Sequence, residues 1–193
     1  MSKVRFELSM SLDGYVTAAN PTPEEPMGPG GQVLHDRAFG ADDAGLDVLG
    51  DSEVSVGANI TGRRTSDTSI QYWGAAGPAR EQRTPTFIVS HSEPDDVPEH
   101  GVYTFVSSAE AALDAAIAVA GDKDVSVFSA SIGQQMLAAG RIDEIRIHLV
   151  PVLLGNGTRL IDDLDGHHIR LERLGTLESA MATHLRHSVV NAS

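Results

Sequence analysis

Val4, Phe6 and Leu8 alternate with polar neighbours and run into Ser11, Asp13 and Gly14, the period-two pattern of a half-buried strand ending in a turn. Glu53 to Ile60 predicts a second strand that ends at Thr61-Gly62. A short polar stretch from Arg63 to Trp73-Gly74 and a Gly/Pro-containing loop to Pro85 follow. Thr86 to Ser90 is too short and too β-branched for a helix and predicts a third, buried strand, with a fourth over Val102 to Val106. Ser107 with Glu110 three residues on is a capping-box signature. Ala109, Leu113, Ala116, Ile117 and Ala120 then form one apolar helical stripe closed by Gly121. Asp124 to Phe128 predicts a strand, and Ser131 to Ala139 a helix with Ile132, Met136 and Ala139 on one face and Gly140 as its stop. Strand then helix, twice over, predicts parallel crossovers.

The last third changes character. Ile145, Ile147 and Leu149 alternate with Arg146 and His148, PVLLGNG reads as a turn, and Ile169 with Leu171 and then His184 to Val190 predict further strands with little helix between them. The expectation is an α/β fold: a three-layer α/β/α arrangement around a mixed sheet, parallel at its centre, antiparallel in its C-terminal strands, with helices on both faces. Asn20 to Val33, with four prolines and three glycines before Val33, is too rich in breakers for a regular element; it is either an active-site flap or a tolerated insertion. No repeat, heptad pattern or linker divides the chain, so its 193 residues are read as a single domain over 1–193.

Composition narrows the function. Fourteen Lys and Arg against 27 Asp and Glu give a net charge of −13, which repels nucleic acid. No apolar run reaches the length of a membrane span and no signal peptide is evident at the N-terminus, so a cytoplasmic protein without membrane contact is expected. The absence of cysteine excludes disulfides, thiolate metal sites and a cysteine nucleophile. Among eight histidines only His167-His168 and His184 with His187 lie close in sequence; no HExxH occurs, and no metal is expected.

Three places carry candidate chemistry. Thr61-Gly62-Arg63-Arg64-Thr65 follows a strand: glycine permits close backbone approach, two guanidiniums supply forked donors for phosphate, and threonine can cap. The same residues also suit a solvated turn. Phe128-Ser129-Ala130-Ser131 joins a strand to a helix, where free backbone amides attract phosphate, although a serine there commonly serves only as a cap. Asp13 in SLDG can hold a substrate group or relay a proton, or simply make the turn. Trp73 is core or one wall of a pocket.

In order along the chain, SLDGYV at Ser11 to Val16, TGRRT at Thr61 to Thr65, TFIVS at Thr86 to Ser90, IDEIRIHLVPVLLGNGTRLI at Ile142 to Ile161 and THLRHSV near the C-terminus resemble the dihydrofolate reductase-like superfamily. The resembling branch is the one that includes the reductase domain of the bifunctional riboflavin-biosynthesis protein. That resemblance implies a dimeric, NADPH-dependent reductase that transfers hydride to a small pterin- or pyrimidine-like heterocycle or a carbonyl compound. By position it implies cofactor contacts at Gly62, Arg63, Arg64, Thr65, Ser90 and His91, with Arg63 foremost for the 2′-phosphate. It also implies contacts at Ser129, Ala130, Ser131, Ile132 and Gly133, substrate contacts at Ser11, Asp13, Tyr15 and Trp73, and Asp13 as catalytic residue. Ser129-Ala130 departs from the family's usual Gly-Gly pair, which opens the alternative of a non-redox descendant that binds or rearranges a small hydrophobic metabolite. A dihydrofolate reductase proper needs a buried carboxylate on its first helix; Asp36, Asp42, Asp43 and Asp47 offer no clear choice.

Overall fold

The computed structural model describes residues 2–39, 55–162, 164, 166 and 168–190. Its main sheet combines β1 (Val4–Ser11), β3 (Val56–Gly62), β4 (Thr86–Val89), β5 (Tyr103–Val106), β6 (Asp124–Val127), β7 (Glu144–Val150), β9 (Arg170–Glu178) and β10 (Thr183–Val190). The order is β5-β4-β3-β6-β1-β7-β10-β9, and β2 (Tyr15–Ala18) pairs with β8 (Gly157–Arg159) as a separate ribbon. Pairing is parallel from β5 to β7, while β10 runs antiparallel to both β7 and β9. This is the mixed sheet that the change of pattern in the last third predicts.

The helices are α1 (Val33–Phe39), α2 (Arg63–Trp73), α3 (Ala109–Ala120) and α4 (Ala130–Ala138). One face of the sheet, carrying Val4, Phe6, Ile60, Val125, Val127 and Ile145, is sealed by Leu113 and Ala116 of α3 and by Ile132 and Met136 of α4. On the other face Leu34 of α1 packs with Val150 and Ala182 in a second, smaller apolar cluster.

Why β1 alternates although it sits mid-sheet is explained by that second face, which is polar. Buried Arg5 pairs with Asp124 and donates to Ser55 Oγ at 2.9 Å. Buried Glu144 accepts from Arg146 Nε (2.7 Å), Arg186 Nε (3.1 Å) and Lys3 Nζ (3.3 Å). Burial raises the Glu144 carboxyl, but the two arginines outweigh it and hold it below its ordinary value. Buried charges persist in this way only when paired.

Several expectations shift. The polar stretch after Gly62 is in fact helix α2. It lacks an apolar stripe and no side chain caps its start, so the usual signals are silent. Ser108, not Ser107, caps α3 by accepting from Ala111 N at 3.1 Å, and Ile117 stands outside the buried stripe at 42% exposed. The strand ending at Gly62 is described from Val56; Glu53 lies outside the described residues. The Asn20 to Val33 segment is a series of turns fastened to α2: Gln71 Nε2 donates to the Pro23 carbonyl, and Tyr72 Oη donates to Pro23 O at 3.0 Å and Glu24 O at 3.3 Å.

Candidate active site

Strands β3 and β6 lie side by side and in parallel, so both deliver a helix from the same edge of the sheet. Phe128 N donates to Ile60 O at 3.1 Å and fixes their relative height. The N-cap of α2 is Gly62 and that of α4 is Ser129; neither helix has a side-chain cap or an acidic residue in its first turn. Two sets of first-turn N–H groups therefore stand together without an internal partner, and both helix dipoles add positive potential there. Gly62 is required by this closeness, because a Cβ on it would sit 2.9 Å from Ser129 Oγ and 3.4 Å from Ile132 Cγ1.

Beside this junction opens a cleft of about 700 Å3, lined by Ser131 and Gln134 of α4, by Arg64, and by Tyr15, Thr158 and Arg159 of the β2–β8 ribbon. Arg64 is exposed and its guanidinium has no hydrogen-bond or ion-pair partner among the described residues. Arg159 Nη2 donates to Tyr15 Oη at 3.1 Å, and its guanidinium lies over the Tyr15 ring at 4.7 Å. The lining is polar, with two arginines against one carboxylate, Asp162, in a chain whose net charge is −13.

The residues singled out from sequence divide into distinct groups. Gly62, Arg64, Ser129, Ser131 and Tyr15 come together at the junction and its cleft. Arg63 is turned toward the end of β4, where it pairs with Asp67 and donates to Ser90 Oγ (3.3 Å), Ser92 O (3.0 Å) and Ser92 Oγ (3.2 Å). His91 is exposed just beyond that cluster, and Thr65 is half-buried on the first turn of α2. Ala130 and Ile132 turn their side chains into the core.

Four of these residues are engaged in ways the sequence did not signal. Gly133 is a core residue: its N–H is spent on Ser129 O at 2.8 Å, and a Cβ on it would overlap the Phe6 ring. Ser11 is fully buried, donating to Asp13 Oδ1 at 2.6 Å and accepting from Tyr15 N at 2.9 Å, so its hydroxyl is closed to a substrate. Asp13 also accepts from Leu154 N (3.1 Å) and Gly155 N (2.7 Å). The Ser11 hydrogen bond, helped by those two amides and opposed by desolvation, lowers its carboxyl to about 2. With three donors on its two oxygens, this carboxylate anchors the chain at the end of β1. Trp73 does not line the cleft; its ring meets Phe128 edge-on at 5.8 Å.

Sequence spacing also missed a constellation. His148 and His184, both buried and 36 residues apart, meet across β7 and β10 with Nδ1 atoms 2.8 Å apart. His148 Nε2 lies 3.1 Å from Glu7 Oε1, and His184 Nε2 lies 3.1 Å from Ser179 Oγ. Only the antiparallel register that pairs these two positions could have signalled it. Asp36 is the one carboxylate of the first-helix region whose placement is described; Asp42, Asp43 and Asp47 lie outside the described residues.

A mixed sheet, parallel at its centre, with helices packed on its faces and a polar cleft at the carboxyl ends of its central strands defines an α/β domain of the kind whose ligand sites lie at such strand ends. The particular family follows from the sequence: residues 2–184 match the RibD C-terminal domain family, and the chain belongs to it. Solved structures agree on the dihydrofolate reductase-like fold. A protein from Shewanella sp. PV-4 assigned to riboflavin biosynthesis superposes with a TM-score of 0.73 at 20% identity, over 99% of this chain and 100% of that one. A pyrimidine reductase-like protein from Corynebacterium diphtheriae superposes at 0.64 and 14% identity, over 99% and 93% of the two chains. RibD from Acinetobacter baumannii gives 0.64 at 17% identity, with 99% of this chain matching 59% of that one. No curated protein matches the chain. Among the described residues no helix is long and apolar enough to cross a membrane.

Proposed function

We propose that this protein is an NADPH-dependent reductase of a small heterocyclic or carbonyl substrate. The observation that carries this reading is the pair of uncapped helix N-termini at Gly62 and Ser129, delivered by adjacent parallel strands and flanked by Arg64. The donor set fits a dinucleotide pyrophosphate: backbone N–H groups from two helices, the Ser131 hydroxyl and a free guanidinium, with no carboxylate in either first turn. Bound there, the cofactor would supply hydride. The protein's part is to hold the phosphates at the two helix ends, to orient the substrate in the adjoining cleft, and to deliver a proton. Arg63, held by Asp67, Ser90 and Ser92 at the β4 end, stands ready for a 2′-phosphate. The Corynebacterium and Acinetobacter relatives, named as a pyrimidine reductase-like protein and as RibD, support the heterocyclic substrate class.

One observation favours a second reading. Ser129 is buried with its hydroxyl at the junction, and it and Ala130 carry Cβ atoms where the family resemblance implies a glycine pair, which suits a descendant that binds a small metabolite without redox chemistry. Ser129 holds an ordinary extended conformation (φ −125°, ψ 127°), so no strained backbone stands in the cofactor's way. Titration with NADPH and NADH separates the two readings, with quenching of Trp73, the only tryptophan, as the signal. Tight binding with preference for NADPH supports the reductase, and absence of binding to either nucleotide refutes it. Replacing both residues in Ser129→Gly/Ala130→Gly raises the affinity for NADPH. The family resemblance further supports a homodimer, which sedimentation equilibrium tests.

A further inference from the structure

We propose that Tyr15 is the catalytic acid of this cleft, with Arg159 as its positioning partner. This inference rests on the reductase reading given above, and goes beyond it by assigning the proton. Reduction of a C=O or C=N bond needs a proton as well as a hydride, and Asp13, the carboxylate at the end of β1, has both oxygens engaged by Ser11, Leu154 and Gly155.

The three tyrosines differ in what they do with the hydroxyl proton. Tyr72 Oη donates to the carbonyls of Pro23 and Glu24, and Tyr103 Oη donates to Gly74 O at 2.5 Å. Burial pushes the Tyr103 phenol up to about 12 and keeps it a fixed donor. Tyr15 alone accepts: Arg159 Nη2 donates to its oxygen at 3.1 Å, and its own O–H has no acceptor among the described residues. That oxygen belongs to a side chain that lines the same cleft as Ser131 and Arg64. An acceptor-only phenol leaves its proton free for a bound substrate. The other hydroxyls of the lining, Ser131 and Thr158, are aliphatic alcohols and far weaker acids than a phenol.

The step balances as follows. The bound nicotinamide cofactor would supply the hydride for the new C–H bond at the carbonyl or imine carbon, leaving the π electron pair on the heteroatom to take a proton. The Tyr15 O–H bond breaks and its proton forms the new O–H or N–H bond. The phenolate left behind keeps the Arg159 guanidinium at its oxygen and over its ring, and water restores the proton.

The test uses the intact protein with phenanthrenequinone as a dicarbonyl probe and dihydropterin as a cyclic-imine probe. Tyr15→Phe lowers kcat by about a hundredfold or more on whichever probe is turned over, leaves NADPH quenching of Trp73 at wild-type affinity, and removes the acidic-form dependence of kcat on pH. Tyr72→Phe, which loses a hydroxyl elsewhere, retains wild-type kcat. Arg159→Gln shifts the pH profile while keeping measurable turnover, and Arg159→Lys partly restores it. A readout independent of turnover is the NMR of carbon-labelled tyrosine rings: NADPH moves the Tyr15 resonance and leaves those of Tyr72 and Tyr103 in place. The inference is overturned if Tyr15→Phe keeps its kcat, if the Tyr15 resonance ignores NADPH, or if the wild type binds NADPH but reduces neither probe. It is equally overturned if Asp162→Asn, at the cleft rim, abolishes turnover while Tyr15→Phe is active. Failure of the wild type to bind NADPH at all refutes the reductase reading itself, which a separate binding curve distinguishes.

Discussion

Gly133→Ala sets two physical rules against each other. Gly133 lies inside α4, where replacing glycine by alanine ordinarily stabilises a helix by about 1 kcal/mol. Here the added methyl would overlap three atoms of the Phe6 ring, Cε2, Cζ and Cδ2, and Phe6 is 1% exposed and cannot swing into solvent. Overpacking of a tight core costs about 1–3 kcal/mol and occasionally more. The overlap falls on a rigid ring, so the upper part of that range applies. The net effect is destabilisation of about 1–2 kcal/mol, a fall in Tm of roughly 2–8 °C for a chain of this size. Urea unfolding of Gly133→Ala, Phe6→Leu and the double variant isolates the cause. In the Phe6→Leu background the ring is gone, and Gly133→Ala becomes neutral or stabilising, a coupling of about 1–3 kcal/mol. NADPH affinity is unchanged in the folded single variant, because the Gly133 N–H is already used within α4. Stabilisation by Gly133→Ala alone, or an equal cost in both backgrounds, would refute the reasoning.

Further expectations concern the polar face and the turns. Glu144→Gln leaves Arg146 and Arg186 facing a neutral amide. The cost is about 1–3 kcal/mol, less than for a fully buried pair because the Arg186 and Lys3 side chains are each 51% exposed. Since pairing lowers the Glu144 carboxyl on folding, its stabilisation is present above the ordinary glutamate value and is lost as pH falls toward the lowered one. Denaturant midpoints measured from neutral to acid pH therefore fall less steeply in Glu144→Gln than in wild type, and parallel curves would count against the ion cluster. Ser108→Ala removes the only side-chain cap of α3 and lowers stability by about 1 kcal/mol in urea unfolding, whereas Ser107→Ala leaves it unchanged. Asp13→Asn speeds amide hydrogen exchange at Leu154 and Gly155, the two N–H groups its carboxylate now holds; unaltered exchange would remove its anchoring role.

The sheet was legible wherever alternation was strong. β1, β6, β7 and β10 all announce themselves because one face is apolar and the other polar, and the switch to antiparallel pairing follows from the lack of helix after Ile161. α2 was hidden because it buries only Ser66; its register comes from connecting β3 to β4 and not from an apolar stripe. The β2–β8 ribbon was hidden because four and three residues are too few to show a period. The site was legible in part for the same kind of reason. TGRRT and the Ser129 junction carry a helix start that local sequence can suggest, but Arg159, inside the segment Ile142 to Ile161, shows no role of its own there and joins the cleft only through its pairing with Tyr15. Asp13 and Ser11 looked like substrate contacts because a strand-end carboxylate and hydroxyl suit that role. Nothing local reveals that the distant amides of Leu154 and Gly155 claim the carboxylate.

The central claim is that NADPH phosphates rest on the two helix ends, and backbone amide chemical shifts on titration with NADPH test it most directly. The account predicts that the largest changes fall on Gly62 to Thr65 and on Ala130 to Ile132, with smaller ones at Tyr15 and Arg159 and none at His148 or Gly175. Changes centred elsewhere, or no changes at saturating nucleotide, would contradict it.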